Sequence, residues 1–298
     1  MRAVVAGASG LIGTALVPAL EIDGYDVVRL VRREARGEDE SRWDPAAGVI
    51  DRDLIAGADV VVNLAGASIG AKRLTKSYAK TVLQSRLDTT DLVARTMAES
   101  GAGRLIQASA MGYFGARGDA ELHERTHPGS GILADITVAW EKAANPAVLA
   151  GVQVQWLRTG LVVAPTGGLA KRLLPLIRLG LLRSLGNGKQ WMSWISLLDV
   201  VRAVTFLAHS DHEGPVNLVS PQPARNGEFV AALAHAAHRP RLFPVPGEIL
   251  RLVVGPAAVD LLGSQKASPD VLRRLGFSWN HPDIDSAALW VMSPRESR

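Results

Sequence analysis

The chain has 298 residues and no cysteine, which excludes disulfide frameworks, thiolate nucleophiles, iron–sulfur clusters and cysteine-held zinc. Hydrophobic residues make up 47% and charged residues 21%, the balance of a folded globular protein long enough to build a second lobe beside a main core. The 33 Lys and Arg against 29 Asp and Glu leave a net charge of +4 spread along the chain, and 5% aromatics supply no stacking platform, so no nucleic-acid partner is expected.

Arg2–Ala6 reads as a buried strand, Ile12, Leu16 and Leu20 form a helical stripe, and Asp26–Val31 reads as a second strand, completing a βαβ unit. Gly48–Gly57 leaves room for little helix. Further strands are expected at Ala58–Leu64, Arg104–Ser109 and Val152–Leu157, with helical stretches over Ser77–Glu99 and Ile132–Leu149. This alternation predicts an α/β protein with a Rossmann-type, doubly wound parallel sheet. After Thr159 the texture changes to Gly167-Gly168, a helix-like Leu169–Leu179, a turn at Gly186–Gly188, and Trp191 with Trp194. Asp199–Ala208 is again helical and Pro215–Leu218 strand-like, as if the chain returned to the sheet. The expected organisation is a dinucleotide-binding domain over 1–165, rejoined by 195–220, and a smaller, mostly C-terminal substrate lobe from 166–194 and 221–298. Two apolar stripes, Leu169, Leu173, Leu176 and Ile177, then Ile249, Leu252, Val253 and Val259, are assigned to core between the lobes.

No apolar run approaches the ~18 residues of a membrane helix, since the run from Ile249 to Gly263 is cut by Arg251, Pro256 and Asp260. No membrane partner is expected, and because Met1-Arg2 leads straight into a strand, neither is a cleaved leader; the location expected is cytoplasmic.

Gly7-Ala8-Ser9-Gly10-Leu11-Ile12-Gly13 places three glycines between a predicted strand and a predicted helix, the context of a dinucleotide loop. Glycines let the backbone approach a pyrophosphate, and the helix N-terminus behind them offers unpaired N–H groups. The alternative is a purely structural turn. Where an NAD site would place an acid for the ribose diol, this chain has Arg32 and Arg33, which suit a 2′-phosphate and favour NADP(H).

With Asn63-Leu64-Ala65-Gly66, Ser109-Ala110-Met111-Gly112-Tyr113-Phe114-Gly115 and Arg158-Thr159-Gly160, the loop resembles the extended short-chain dehydrogenase/reductase superfamily. Trp43-Asp44-Pro45, Ser85-Arg86, Trp140-Glu141, Gly167-Gly168, Gln190, Ser193-Trp194-Ile195, Gln265, Pro269, Leu272 and Gly276-Phe277 resemble its atypical "epimerase family protein" branch across nearly the whole chain. The resemblance implies that Gly7, Ser9, Gly10, Leu11, Ile12 and Gly13 form the pyrophosphate loop. It also implies that Arg32 and Arg33 meet the 2′-phosphate, and that Leu64, Ala65 and Gly66 wall the adenosine ribose. Ser109 matches the active-site serine, a one-residue slide putting Ala110 there instead. The backbone of Arg158, Thr159, Gly160 and Leu161 matches the segment against the nicotinamide, and Trp191 and Trp194 are expected to close over substrate.

The superfamily's base is a Tyr followed four residues later by Lys, which holds the nicotinamide ribose and makes a phenolate accessible. Tyr25, Tyr78 and Tyr113 all lack Lys at that spacing, and where the pair should fall Ile136–Lys142 reads I-T-V-A-W-E-K. Three replacements stay open: the Tyr113 phenol, the Glu141 carboxylate, or cofactor binding without turnover. Tyr113 is otherwise a turn residue on the cleft wall, and Glu141 a structural carboxylate on a helix face. His123-Glu124-Arg125-Thr126-His127 fits a zinc pattern, but Pro128 follows at once and no apolar helix stripe runs through it, so an exposed polar loop is expected and no metal. The function expected is an NADP(H)-binding oxidoreductase or epimerase acting on a small carbonyl or nucleotide-sugar-like substrate, as monomer or homodimer. The alternative is a non-catalytic NADP(H)-binding sensor or regulatory protein.

Overall fold

The computed structural model describes residues 1–101, 103–166, 170–246 and 263–293. Seven parallel strands build the main sheet: β1 (Arg2–Ala6), β2 (Asp26–Val31), β3 (Glu40–Arg42), β4 (Val60–Asn63), β5 (Arg104–Ala110), β6 (Gln153–Thr159) and β7 (Gly214–Leu218). Their spatial order is β3-β2-β1-β4-β5-β6-β7, so winding reverses between β1 and β4. That is the switch point at which doubly wound sheets hold ligands.

β1 shows why the sequence reads as buried strand. Ala3 and Val5 face a core shared with α1 (Leu11–Ile22) and α7 (Leu197–Ala208), while Val4 and Ala6 face one shared with α2 (Arg52–Ala56) and α3 (Lys76–Ser100). A strand covered on both faces needs apolar residues at every position. β1 and β2 keep the limits expected from sequence, and β7 joins the sheet beside β6, in register from Gly214 opposite Gln155 to Leu218 opposite Thr159.

One strand has no counterpart in the sequence pattern, and one helical expectation needs correction. β3 reads Glu-Ser-Arg, with no apolar residue to signal a strand; it is a charged edge, which protects an open sheet from pairing with another chain. The single helix expected over Ile132–Leu149 is two, α4 (Ile132–Lys142) and α5 (Asn145–Leu149). Pro146 sits in the first turn of α5, where its missing N–H costs nothing, whereas in the middle of one long helix it would remove a hydrogen bond.

Past Thr159 the chain leaves the sheet through Leu161–Val163, which pairs with Trp194–Ser196. The second lobe has its own core, where Leu173 and Ile177 of α6 (Ala170–Arg178) meet Trp194, Phe229 and Leu233 of α8 (Asn226–Ala236), and Val291. Leu176, on the same expected stripe, is exposed instead. Leu169, Gly167-Gly168 and the stripe Ile249–Val259 lie outside the described residues. Asp199, fully buried at the start of α7, fastens the C-terminal segment to the sheet domain by accepting the N–H groups of Asn280 (2.7 Å) and His281 (2.9 Å). Among the described residues no helix is long and apolar enough to cross a membrane.

Candidate active site

The glycine loop lies at the switch point. Gly7 has φ +81°, which favours glycine, and a Cβ there would come within 2.8 Å of the Leu64 carbonyl carbon and 2.9 Å of Ala65 N. A Cβ on Gly13 would lie 2.6 Å from Ala8 Cα and closer still to the Gly7 carbonyl oxygen. The loop therefore folds back on itself against the end of β4. Asn63 fixes that end: its Oδ1 accepts Ala65 N–H at 3.1 Å, while its Nδ2 donates to Gln107 at 3.0 Å. Gly10 caps α1 without any side-chain hydrogen bond, and the first turn carries no acid. Ser9 and Gly10 are exposed, with Leu11 and Ile12 half-buried behind them. A helix start of this kind, with backbone N–H groups and no acid in its first turn, can hold an anion.

The two arginines after β2 differ. Arg33 makes a two-pronged pair with Glu40 of β3, both contacts 2.6 Å. The Arg33 hydrogen bonds, followed by the Arg36 N–H, hold the Glu40 carboxyl down at about 2. Arg29 pairs with Asp39 and lies 3.4 Å from Glu40. Arg32 is exposed and has no ion pair among the described residues.

Ser109, Tyr113, Glu141 and Arg158 converge. Ser109, next to last in β5, lies directly opposite Arg158 on β6, and its Oγ donates to Glu141 Oε1 at 2.6 Å. Arg158 grips the same carboxylate through Nε and Nη2, each 2.9 Å, and its Nη1 donates to the Glu124 carbonyl at 2.9 Å. Its guanidinium carbon lies 3.4 Å from the centre of the Tyr113 ring, which a short 3-10 turn after β5 presents. The Tyr113 hydroxyl has no hydrogen-bond partner among the described residues. Sequence reasoning assigned only the backbone of Arg158; its side chain turns out to organise the cluster. The Gly160 and Leu161 N–H groups bond the carbonyls of Leu218 (3.1 Å) and Ser193 (2.8 Å), which steers the chain from β6 into the second lobe.

Trp194 does not close over a substrate: it is fully buried in the second lobe's core, with Nε1 on the Gln222 carbonyl at 3.0 Å. Trp191 is half-buried and donates to Asp119 at 2.6 Å. The His123–His127 segment is not a polar loop throughout. Glu124 is buried, and its Oε1 accepts the N–H groups of Asn217 (3.2 Å) and Val271 (3.1 Å), tying β7 to the helix Asp270–Arg274. Burial raises its pKa against those hydrogen bonds. His123 instead faces Asp270 at 2.5 Å, and among the described residues no three His, Asp or Glu cluster as a metal site. In the stretch where the Tyr–Lys pair was expected, Ile136 and Trp140 are core residues, and Trp140 Nε1 donates to Thr90 at 3.0 Å.

Residues 3–219 match the model of the NAD dependent epimerase/dehydratase family, and residues 245–291 match a domain of unknown function, DUF1731. The chain belongs to that epimerase/dehydratase family. Within it, an "epimerase family protein" of Mycobacterium bovis is 40% identical over 285 residues, 95% of each chain. The structure of human epimerase family protein SDR39U1 with NADPH superposes with a TM-score of 0.88 at 28% identity, over 98% of this chain and 99% of that one. A nucleoside-diphosphate sugar epimerase from Corynebacterium glutamicum, 30% identical, gives a TM-score of 0.80 over 98% of this chain and 58% of that one. The chain is thus an atypical extended short-chain dehydrogenase/reductase with a dinucleotide-binding fold.

The roles of two charged residues near the site are not legible in the sequence. Glu124 was visible only as part of a metal-like pattern, and its burial comes from packing against β7, nearly a hundred residues later. Arg86, on α3, is buried although it sits in a helix otherwise rich in exposed polar residues.

Proposed function

We propose that this protein binds NADP(H) along the carboxyl edge of the sheet and moves hydride to or from a carbon of a small carbonyl or nucleotide-sugar-like substrate. The observation that carries the reading is the Ser109–Glu141–Arg158 chain stacked on Tyr113, on the same edge as the glycine cradle. The cradle at Gly7 and Gly13, the uncapped start of α1 and the free Arg32 fit a pyrophosphate and a 2′-phosphate. The NADPH bound by the human relative supports the same cofactor.

Bound NADP(H) supplies or accepts hydride at nicotinamide C4. The rest falls to the protein's residues. Ser109 has its proton directed at Glu141, so its oxygen is left to accept a proton from a substrate hydroxyl while its own passes to the carboxylate; the reverse sequence protonates a reduced carbonyl. Arg158 balances the charge on Glu141 and fixes its rotamer. The Tyr113 phenol binds the substrate oxygen. In this account Ser109→Ala slows hydride transfer by ~10²-fold or more with NADPH affinity retained; stopped-flow turnover of NADPH against carbonyl and nucleotide-sugar panels checks it, and equal rates remove Ser109 from the chemistry.

A second reading rests on Ile136 and Trp140, core residues where the superfamily's proton carriers are expected. A sensor of this kind would be stabilised against heat by NADPH and transfer no hydride to any member of the panel.

A further inference from the structure

Arg86 lies on the buried face of α3, 8% exposed. Its Nη1 donates to two neutral acceptors, the carbonyls of Ala67 (2.9 Å) and Val82 (3.1 Å). Its Nε is enclosed with no partner, and no carboxylate pairs with it among the described residues. Arg158, buried to a similar degree, has Glu141 as its counter-ion. Burial lowers the Arg86 pKa to about 10, which still leaves it charged at neutral pH. An enclosed cation without a counter-ion is costly for a fold to keep, and an apolar side chain of similar length in its place removes that desolvation cost.

Its surroundings say where a counter-ion can come from. The guanidinium carbon is 4.6 Å from the centre of the Trp140 ring, in the stretch of α4 where the superfamily's lysine is absent. Gly66 abuts it as well: a Cβ there would lie 3.2 Å from Arg86 Cγ and 3.4 Å from both Cζ and Nη1. Leu64 and Ala65, immediately before Gly66, are the residues against which Gly7 packs. Gly66 thus sets bare backbone, with no side chain, against the guanidinium, beside the end of β4 on which the Gly7 loop packs.

We infer that Arg86 is a ligand-binding cation whose missing counter-ion is a phosphate, in the first place the pyrophosphate of NADP(H), reached past the bare Gly66. The inference rests on the NADP(H) reading above. A diphosphate on the substrate offers the same chemistry, and charge-assisted bonds to a guanidinium fork suit either.

The test titrates wild type, Arg86→Met and Arg86→Lys with NADPH, then titrates the NADPH-saturated proteins with UDP, and records thermal unfolding of each ligand-free protein. The expected result is NADPH binding at least ~10-fold weaker in Arg86→Met, partly restored in Arg86→Lys, with ligand-free melting unchanged or raised. A loss confined to UDP also supports the phosphate role and assigns it to the substrate's diphosphate. Unchanged affinities for both ligands overturn the inference and leave Arg86 a strut between Ala67 and Val82. If Arg86→Met does not fold, Arg86→Gln carries the test: it keeps a polar donor and removes the charge, so both NADPH and UDP binding weaken if the cation meets a phosphate, and unchanged binding of both overturns the inference. A wild-type protein that binds no NADPH refutes the cofactor reading itself, before any variant is compared.

Discussion

Arg158→Met destabilises the ligand-free protein by about 3–5 kcal/mol in urea denaturation, the range for stripping one partner from a buried ion pair. The side chains are 4% exposed for Arg158 and 13% for Glu141, so water reaches neither well. The substitution strands the Glu141 carboxylate, leaves the Glu124 carbonyl without its donor, and removes the cation stacked on Tyr113. Adding Glu141→Gln removes the stranded charge, so the double variant recovers at least ~1 kcal/mol of the loss, a coupling typical of residues in one network. Additive losses would mean that the pair holds the cluster no better than two independent contacts. The same variant loses hydride transfer, because Ser109 then leans on a carboxylate with nothing to fix it.

Gly13→Ala weakens NADPH binding by at least ~100-fold, about 2.8 kcal/mol. The added methyl meets the Gly7 carbonyl oxygen and Ala8 Cα, backbone atoms that no rotamer change can move aside. The loop must open, its N–H groups lose their aim, and overpacking costs a further ~1–3 kcal/mol of stability. Gly70→Ala, with no atom within 4 Å of its added Cβ, serves as the control and leaves binding intact. Fluorescence titration of both variants checks the contrast, and a Gly13→Ala protein that still binds tightly would show that the phosphates lie elsewhere.

Legibility in the sequence tracked how local the deciding physics is. β1, α1 and β2 stand where their apolar patterns put them, because strands covered on both faces and an amphipathic helix declare themselves residue by residue. The Gly7–Gly13 loop was legible for the same reason: its glycines are demanded by contacts within a few residues and by one neighbouring strand. β3 was invisible because an edge strand of Glu-Ser-Arg is held by register with β2 and by ion pairs, with no hydrophobic face to mark it. Trp194 looked like a substrate cover because an aromatic next to glycines reads the same in a cleft as in a core; only the packing of α6 and α8 around it decides. The candidate catalytic residues Ser109, Tyr113 and Glu141 came from resemblance and elimination. What ties them together, the Arg158 side chain, depends on β5 and β6 lying in register across some fifty residues of chain. Arg86 was hidden by helical periodicity, which marks faces and says nothing of an unpaired charge turned inward.

At the proposed NADP(H) site on the switch point, Arg32, and not the Glu40-bound Arg33, reads the 2′-phosphate. This role is tested most directly by titrating the protein with NADPH and NADH in parallel, following energy transfer from its 7 Trp residues to the reduced nicotinamide, and repeating both in Arg32→Ala and Arg33→Ala. The expected result is NADPH tighter by at least ~10-fold, about 1.4 kcal/mol, a gap that closes in Arg32→Ala and persists in Arg33→Ala. Equal affinities in the wild type, or no binding of either nucleotide by a protein that carries none from purification, would contradict it.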